Sequence, residues 1–253
     1  MLLAALVACF VGRAWALPPG LVSNFTGNGT AADATGTNNG TFTGAYVAGF
    51  NGQQAFSFTG STGAIVQAGS TGMPTGTALR TISFWVDPLV YSGSQDTYFV
   101  GYGNNTSGST GAFGIGQYQN QWVLENDGSH FLAGTFTTNQ WYYVAVEVTG
   151  ANTESLYVNG TQTATGTLTL NTTTNSYFTL GGIYGISTNY YSQSYIQDVH
   201  VYNTALTTSQ LAIDQASALP EPSWIWLGLG LTTLSLATRK DPSTRERARK
   251  RQA

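Results

Sequence analysis

Basic side chains are almost missing from the central part of this chain. Arg80 is the only Lys or Arg between Leu17 and Leu219, whereas nine Asp and Glu residues lie in that segment, so its formal charge is −8. Nucleic acid is bound mainly through clustered Lys and Arg that contact phosphates. The missing bases therefore exclude nucleic acid as an expected partner. A charged fraction of only 8% in the whole chain is more typical of a secreted or surface-exposed all-β protein than of a cytosolic one.

Cysteine and the usual signatures of nucleophilic catalysis are missing as well. The single cysteine, Cys9, lies in a segment that we expect to be removed, so the mature protein would contain no thiol and no disulfide. No Gly-x-Ser-x-Gly motif is present, and the Gly-rich stretches are not followed by predicted helices, so neither a nucleophile nor a phosphate cradle is indicated. His130 and His200 lack metal-ligand spacing, and we expect each to be a surface or edge residue.

Alternating apolar residues predict β-strands. In the segment 141–162, Tyr142, Val144, Val146 and Val148 occupy every second position, which is typical of a strand with one buried face. A polar loop and then Asn159-Gly160 supply turns, so this segment predicts an antiparallel meander. Residues 81–86 predict another strand, with Ile82, Phe84 and Val86 on one face and Trp85 on the other.

Further short strands are expected around residues 98–102, 113–118, 121–125, 176–181 and 194–203. Only 205–218 is predicted to be helical, with Thr207 or Thr208 as its cap and Leu206, Leu211 and Ile213 against the strands.

Five segments carry a family resemblance. The segments 31–45, 49–61, 81–88, 141–162 and 195–211 resemble, in that order, the successive motifs of LamG-like, concanavalin A-like jelly-roll domains of bacterial surface proteins. The resemblance covers roughly residues 21–216. It implies an all-β fold of two antiparallel sheets packed face to face, and a role that is most often carbohydrate or adhesive binding. We therefore expect one jelly-roll domain at 17–219.

The resemblance also implies a structural calcium ion. In the family, a metal often ties the N-terminal segment to the last strand through an acidic side chain from each. Asp33 stands at the position of the early aspartate, and the last-strand motif here reads Ile196-Gln197-Asp198-Val199, with Gln197 in place of an acid. Strand alternation predicts Gln197 on the face of Val199 and Asp198 on the opposite face. The expected ligands are Asp33, Gln197 and Asp198.

Two other groups of residues are candidates for sugar chemistry. Tyr184, Tyr190 and Tyr191 lie in a polar loop, where exposed rings could stack on a glycan or could instead pack on the loop or on the helix. Glu125-Asn126-Asp127 resembles part of the Glu-x-Asp-x-x-Glu motif of laminarinase-type glycosidases, but His130 stands where the third acid would be. The alternative is a β-turn at 125–128. No catalytic residue is predicted, and we expect that the protein is not an enzyme.

Residues 1–16 are predicted to be a secretory signal peptide. An apolar run ends in Ala14-Trp15-Ala16, the small-x-small pattern that signal peptidase cleaves, so the mature chain would begin at Leu17. Two alternatives stay open: Cys9 could be lipidated within a loose lipobox, or the run could be a buried strand.

Residues 220–253 are predicted to be a sorting signal. Pro220-Glu221-Pro222, the apolar run 224–237 and Arg239-Lys240 together resemble a PEP-CTERM signal, which an exosortase reads in the membranes of Gram-negative, biofilm-forming bacteria. The apolar run is short for a span, about 21 Å as a helix at ~1.5 Å per residue. Its Trp and basic flanks nevertheless favour a transient inner-membrane anchor. The long basic tail after Lys240 departs from the family pattern.

The sequence as a whole predicts a secreted cell-surface protein that binds a glycan such as an exopolysaccharide and has no catalytic activity. The alternatives are a glycoside hydrolase or lyase on the same fold and a structural adhesin that binds protein. Convergent carboxylates in a groove would favour the enzyme, whereas tyrosines along a groove would favour the lectin.

Overall fold

The computed structural model describes residues 16–219, except for 62, 105–109, 127–128, 151, 174–176 and 184–189. Within these residues, short alternating segments form strands β1 to β15, and one helix, α1, follows the last strand. The strands are β1 (Leu21–Phe25), β2 (Gly40–Thr41), β3 (Ala45–Ala48), β4 (Gln54–Thr59), β5 (Val66–Ala68), β6 (Arg80–Pro88), β7 (Thr97–Gly103), β8 (Ala112–Tyr118), β9 (Gln121–Glu125), β10 (His130–Thr135), β11 (Tyr142–Gly150), β12 (Thr153–Val158), β13 (Thr161–Gly166), β14 (Phe178–Leu180) and β15 (Gln193–Tyr202); α1 is Thr208–Ser217.

The strands form two antiparallel sheets. Sheet A has the order β13-β12-β11-β6-β15-β4-β3, with β1 also paired to β15, and sheet B has the order β10-β9-β8-β7-β14-β5-β2. The predicted all-β jelly-roll sandwich is therefore confirmed.

The meander predicted at 141–162 is present in sheet A. β11 pairs with β12 on one side and with β6 on the other. Asn159 and Gly160 have φ angles of 51° and 78°, which is the left-handed geometry that a two-residue hairpin turn requires. Ile82, Phe84 and Val86 face the core, and Trp85 lies in a separate cluster on the other side of the sheet, as predicted.

Aromatic side chains fill the space between the sheets. Phe25 of sheet A stacks on Phe178 of sheet B with ring centroids 5.5 Å apart. Trp122 of sheet B packs edge-on against Tyr142 of sheet A at 5.5 Å, and its ring lies tilted against Phe136 at 4.8 Å. Such pairs contribute about 0.5–1.5 kcal/mol each beyond their burial, so they fix one sheet relative to the other.

Helix α1 packs on the outer face of sheet A. Thr207 caps it, because its hydroxyl accepts from the Gln210 N–H and the Gln210 side chain accepts in return from the Thr207 N–H. Leu206 and Leu211 are buried against sheet A as predicted, but Ile213 is only half-buried. The residue that faces the sheet in its place is Asp214.

Asp214 binds four side chains from sheet A. Its Oδ2 accepts from the Ser83 hydroxyl at 2.5 Å and the Tyr143 hydroxyl at 2.7 Å, and its Oδ1 accepts from Tyr202 and lies 2.8 Å from His200 Nδ1. Burial alone would lower the pKa of His200, but the Asp214 carboxylate outweighs burial and raises it. Burial alone would raise the pKa of Asp214, but His200 and the hydroxyls of Ser83 and Tyr143 outweigh burial and lower this pKa to about 2. His200 is 3% exposed, so its prediction as a surface or edge residue is wrong.

Arg80 is buried inside the sandwich and is fully occupied there. Its guanidinium donates to the Tyr102 hydroxyl at 2.6 Å, to Thr172 Oγ1 at 3.0 Å and to the Gly76 carbonyl at 2.6 Å, and it lies over the Phe113 ring at 5.2 Å. The single base of the domain is therefore not available to neutralise any surface carboxylate.

Candidate functional site

The outer face of sheet B is the surface that turns away from the core. Phe113, Ile115 and Leu124 point inward, so their neighbours in sequence point outward. Antiparallel partners lie on the same face of a sheet. The register places Gly114 and His130 on either side of Glu125, and it places Tyr98 and Val123 on either side of Gly116. These outward residues define what we call the outer face.

Glycines allow a second layer of side chains to lie directly on this face. A Cβ at Gly114 would lie 2.8 Å from the Tyr98 ring, and a Cβ at Gly101 would lie 2.4 Å from Ile183. Both distances are shorter than real Cβ contacts, so these positions require glycine. Tyr98, Ala112 and Ile183 form a small buried cluster here, and Tyr190 stacks on Tyr98 at 6.2 Å with an interplanar angle of 19°.

The predicted aromatic loop thus reaches the outer face. Tyr190 and Tyr191 are half-buried, and Tyr191 forms an isolated backbone bridge with Tyr98. Burial raises the pKa of the Tyr191 phenol. The Tyr190 ring therefore packs on Tyr98 of sheet B. Tyr184 lies outside the described residues.

Two carboxylates and one imidazole converge on the same face. Asp96 directly precedes β7, Glu125 ends β9, and His130 begins β10, yet their potential ligand atoms all lie within 4.8 Å of one another. His130 Nδ1 lies 3.0 Å from Asp96 Oδ2. The Tyr118 ring lies 6.2 Å from the His130 ring, so an aromatic side chain borders the group.

This group only partly matches the predicted acidic pair. Asn126 N–H donates to the Ser129 carbonyl at 3.2 Å between β9 and β10, so the chain reverses direction just after Glu125, but the turn predicted at 125–128 lies partly outside the described residues. Asp127 lies outside the described residues. His130 is 42% exposed on an edge strand, as predicted. Asp96 was missed, since it lies far from Glu125 in sequence and only the strand order brings it near.

Asp33 does not fit the expected calcium site. Its Oδ1 accepts from the backbone N–H groups of Asn24 and Thr35 at 2.8 and 2.9 Å, and its Oδ2 accepts from the Asn38 N–H and the Thr35 hydroxyl at 3.0 and 2.8 Å. Burial would raise the pKa of Asp33, but these hydrogen bonds lower it. A carboxylate has about four lone-pair sites, and all of them are used here, three within the 33–38 loop and one to Asn24 of β1.

The last-strand residues are also arranged differently from the prediction. The register between β15 and β6 shifts between Gln197 and His200, and Asp198 has a φ of 48°. This irregularity is a β-bulge, and Ile196 and Val199 both face the core on either side of it. Gln197 therefore lies on the face opposite Val199, so the predicted alternation is wrong here. Gln197 Oε1 accepts from the Phe50 N–H at 2.6 Å, and its amide donates to Asp198 Oδ2 at 2.9 Å. Gln197 is therefore engaged as well, and the three residues do not fit a calcium ion.

The predicted processing signals fall almost entirely outside the described residues. Ala14, Pro220, Glu221, Pro222, Arg239 and Lys240 are not described, and Ala16 is the first described residue. Among the described residues, no helix has the length and apolar character needed to cross a membrane.

Comparisons with known proteins agree with this architecture. A family model described as the concanavalin A-like lectin/glucanases superfamily matches residues 59–212. No curated protein sequence matches the chain. Among solved structures, the chain is similar to domain 4 of AbnA, a GH43 extracellular arabinanase from Geobacillus stearothermophilus in complex with arabinotriose. That match has a TM-score of 0.59 and 21% identity, and it covers 78% of this chain and 98% of that one.

Two further solved structures are similar over only part of their length. The binding domain of Paraclostridial mosquitocidal protein 1 has a TM-score of 0.62 and 15% identity, with 78% of this chain and 52% of that chain covered. Trypanosoma rangeli sialidase in complex with sialic acid has a TM-score of 0.57 and 17% identity, with 78% and 33% covered. At these identities the likeness shows the fold alone.

Proposed function

The chain belongs to the concanavalin A-like lectin/glucanases superfamily, and we propose that it is a glycan-binding protein without catalytic activity whose sugar site is the outer face of sheet B.

The stacked pair of Tyr190 and Tyr98 is the observation that carries this proposal. Tyr190 is half-buried with its ring parallel to the sheet-bound Tyr98, so one side of the Tyr190 ring is supported from below. The C–H face of a sugar ring packs on such a platform, while its hydroxyls hydrogen-bond to neighbouring polar groups. Asp96, Glu125 and His130 supply acceptors and an imidazole on the same face. The sugars bound by the similar arabinanase domain and sialidase support this assignment by analogy.

A glycan array probed with the full chain tests the proposal. We expect binding to one class of glycan and a loss of about tenfold or more in affinity in Tyr190→Ala, because the stacking platform is removed. Tyr190→Phe should retain binding, since the ring is kept. Tyr91→Ala is the matched control: Tyr91 is 48% exposed and contacts Phe136 rather than the outer face. Equal losses in Tyr190→Ala and Tyr91→Ala, or no glycan bound by wild type, would contradict the assignment.

A second candidate function is glycoside hydrolysis at the same face. Carboxylate oxygens of Asp96 and Glu125 lie within 4.8 Å, near the ~5–5.5 Å separation of carboxyl groups in retaining glycosidases. We favour binding because Asp96 is already hydrogen-bonded to His130, which stands where the laminarinase pattern has a third acid. The glycans that bind should therefore release no reducing sugar on incubation. Release that Glu125→Gln abolishes would establish the enzyme instead.

We place the protein at the surface of a Gram-negative bacterium. The support is in the sequence alone: the predicted signal peptide at 1–16 and the Pro-Glu-Pro signal at 220–222 followed by an apolar run and a basic cluster. Signal peptidase and an exosortase would then be its processing partners. Mass spectrometry of surface-extracted protein from a native host should detect no peptide beyond Pro222. Recovery of the intact C-terminal sequence RERARKRQA from mature protein would contradict exosortase processing.

A further inference from the structure

A second group of aromatic side chains lies on the outer face of sheet A, beside helix α1. Trp85 and Asp87 point to this face, because Val86 between them belongs to the core between the sheets. The register of β15 and β6 places Tyr195 opposite Asp87, and Trp141 directly precedes β11, which borders β6 on its other side. Both of these flanking rings are half-buried. Asp87 therefore lies between aromatic residues that come from the two neighbouring strands.

Two buried polar atoms on this face have no hydrogen-bond partner among the described residues. They are the indole Nε1–H of Trp85 and the Oδ1 atom of Asp87. Trp85 is 6% exposed and Asp87 is 8% exposed, so bulk water does not solvate them. The Asp87 carboxylate accepts from the N–H of Gln140, the residue before Trp141, but Oδ1 takes no part in this bond. An unpaired donor and an unpaired acceptor, two residues apart on one strand, indicate a ligand group that can both accept and donate.

The rings that cover these atoms belong to the surface. Phe50 stacks on Trp85 with ring centroids 3.8 Å apart and an interplanar angle of 18°, and Trp141 lies 6.2 Å from Phe50. Phe50 lies in a short 3₁₀ turn between β3 and β4, and both Phe50 and Trp141 are half-buried. Rotation of these surface rings, which is a fast motion, therefore gives access to the polar atoms below without displacing a strand.

We propose that Phe50, Trp85, Asp87, Trp141 and Tyr195, which we call the sheet A site, bind a sugar residue of a polysaccharide. A hydroxyl both donates and accepts, so neighbouring hydroxyls of one sugar satisfy Asp87 Oδ1 and the Trp85 N–H while the sugar ring packs on Trp141. A cation would satisfy only Asp87. An anion would satisfy only Trp85, and the charge of −8 on the segment 17–219 would repel it. An uncharged polyol is the ligand class that fits both atoms.

The sheet A site and the outer face of sheet B lie on opposite sides of the sandwich. The inference rests on the proposed function for its ligand class, but it shares no residue with the sugar site proposed there. A chain with both sites holds two glycan strands at once and cross-links them.

Affinity electrophoresis of the full chain tests the sheet A site. Native gels containing debranched arabinan, laminarin or dextran are used, and the retardation gives a Kd for each polysaccharide. The variants are made in a Tyr190→Ala background, where the remaining binding reports on the sheet A site alone. We expect this background to be retarded by at least one of the polysaccharides, and we expect Trp141→Ala and Asp87→Asn each to raise its Kd by about tenfold or more. Trp141→Phe should retain binding, because the ring is kept.

Tyr157→Ala is the matched control for this experiment. Tyr157 is half-buried in the same aromatic cluster on the same face, but it lies opposite Ala145, further along β11 from Trp141. Its Kd should equal that of the background. In solution, wild type should make the polysaccharide turbid by cross-linking it, whereas Trp141→Ala and Tyr190→Ala should each bind without turbidity.

The outcomes separate the sheet A site from the proposed function. No binding by the Tyr190→Ala background, or equal Kd values in its Trp141→Ala and Tyr157→Ala variants, would overturn the sheet A site and leave the site on sheet B intact. A wild type that none of the three polysaccharides retards would overturn the sheet A site too. If Tyr190→Ala bound as tightly as wild type and Trp141→Ala then abolished binding, the sheet A site would stand and the site on sheet B would be contradicted.

Discussion

Asp214 illustrates how a single side chain can attach a helix to a sheet. Its carboxylate binds Ser83 of β6, Tyr143 of β11, and His200 and Tyr202 of β15. These strands are neighbours in sheet A, so one residue of α1 contacts three adjacent strands at once. Asp214 is 2% exposed, and its carboxylate is shared by all four side chains, so the group acts as a unit.

Replacing Asp214 by Asn should destabilise the domain strongly. Asn keeps the shape but loses the charge that pairs with His200 and turns an NH₂ group toward side chains that donate. We expect the free energy of unfolding in urea to fall by about 3 kcal/mol, as when one partner of a buried pair is removed. Ala212→Asn is the control, because Ala212 is exposed on the same helix and should lose no more than about 0.7 kcal/mol from helix propensity. Similar losses in the two variants would show that Asp214 is not an anchor.

Residues whose role depends on distant neighbours were the ones that the sequence could not place. Asp33 looked like a calcium ligand, but its carboxylate is occupied by N–H groups of its own loop. Asp96 has no local pattern at all, and its meeting with His130 depends on β7 and β10 sharing a sheet. Tyr190 could be proposed from sequence because a polar loop rich in aromatic residues is a local signal, and the structure shows its ring stacked on Tyr98.

At the level of elements, local patterns predicted the central strands and the helix cap well. β6 and β11 have strict apolar alternation, the Asn159-Gly160 turn has a demanding backbone geometry, and Thr207 precedes Gln210 at capping-box spacing. Each of these signals lies within a few residues of the structure that it specifies.

Other elements carry no such signal. β13 reads TQTATG and is mostly exposed, so backbone pairing with β12 rather than a buried face makes it a strand. The bulge at Asp198 arises where β15 pairs with β6, more than 100 residues away in sequence. The sheet order that brings β6 beside β15 is likewise non-local. Alternation within a segment cannot report these contacts, which explains why Gln197 was predicted on the wrong face.

For the whole molecule, the excess of acidic groups makes stability depend on pH. Burial raises the pKa of Glu154 to about 7, with the Leu168 N–H and Arg80 opposing it, and burial also raises the pKa values of Glu147 and Asp87. Each of these carboxyls holds its proton more tightly in the folded chain than in the unfolded one. The raised pKa of His200 acts in the same direction. The pKa values of Asp33 and Asp214 are lowered instead, so these two carboxylates stabilise the folded state near neutral pH, and that contribution is lost as they become protonated in stronger acid.

Stability should therefore fall as pH rises from mildly acidic values. For Glu154, the folded state binds more protons than the unfolded state between the ordinary pKa of 4.5 and about 7, so the free energy of unfolding decreases across that interval. We expect wild type to lose about 2–3 kcal/mol between pH 4.5 and pH 8 in urea denaturation at high salt, where surface repulsion is screened. Glu154→Gln should match wild type near pH 4.5 and exceed it by about 1–2 kcal/mol at pH 8, because it never becomes charged. Thr153→Ala, next to Glu154 on β12 and without a titrating group, should keep the wild-type slope. If Glu154→Gln showed the same pH slope as Thr153→Ala, the buried carboxyl would not be the source of the pH dependence.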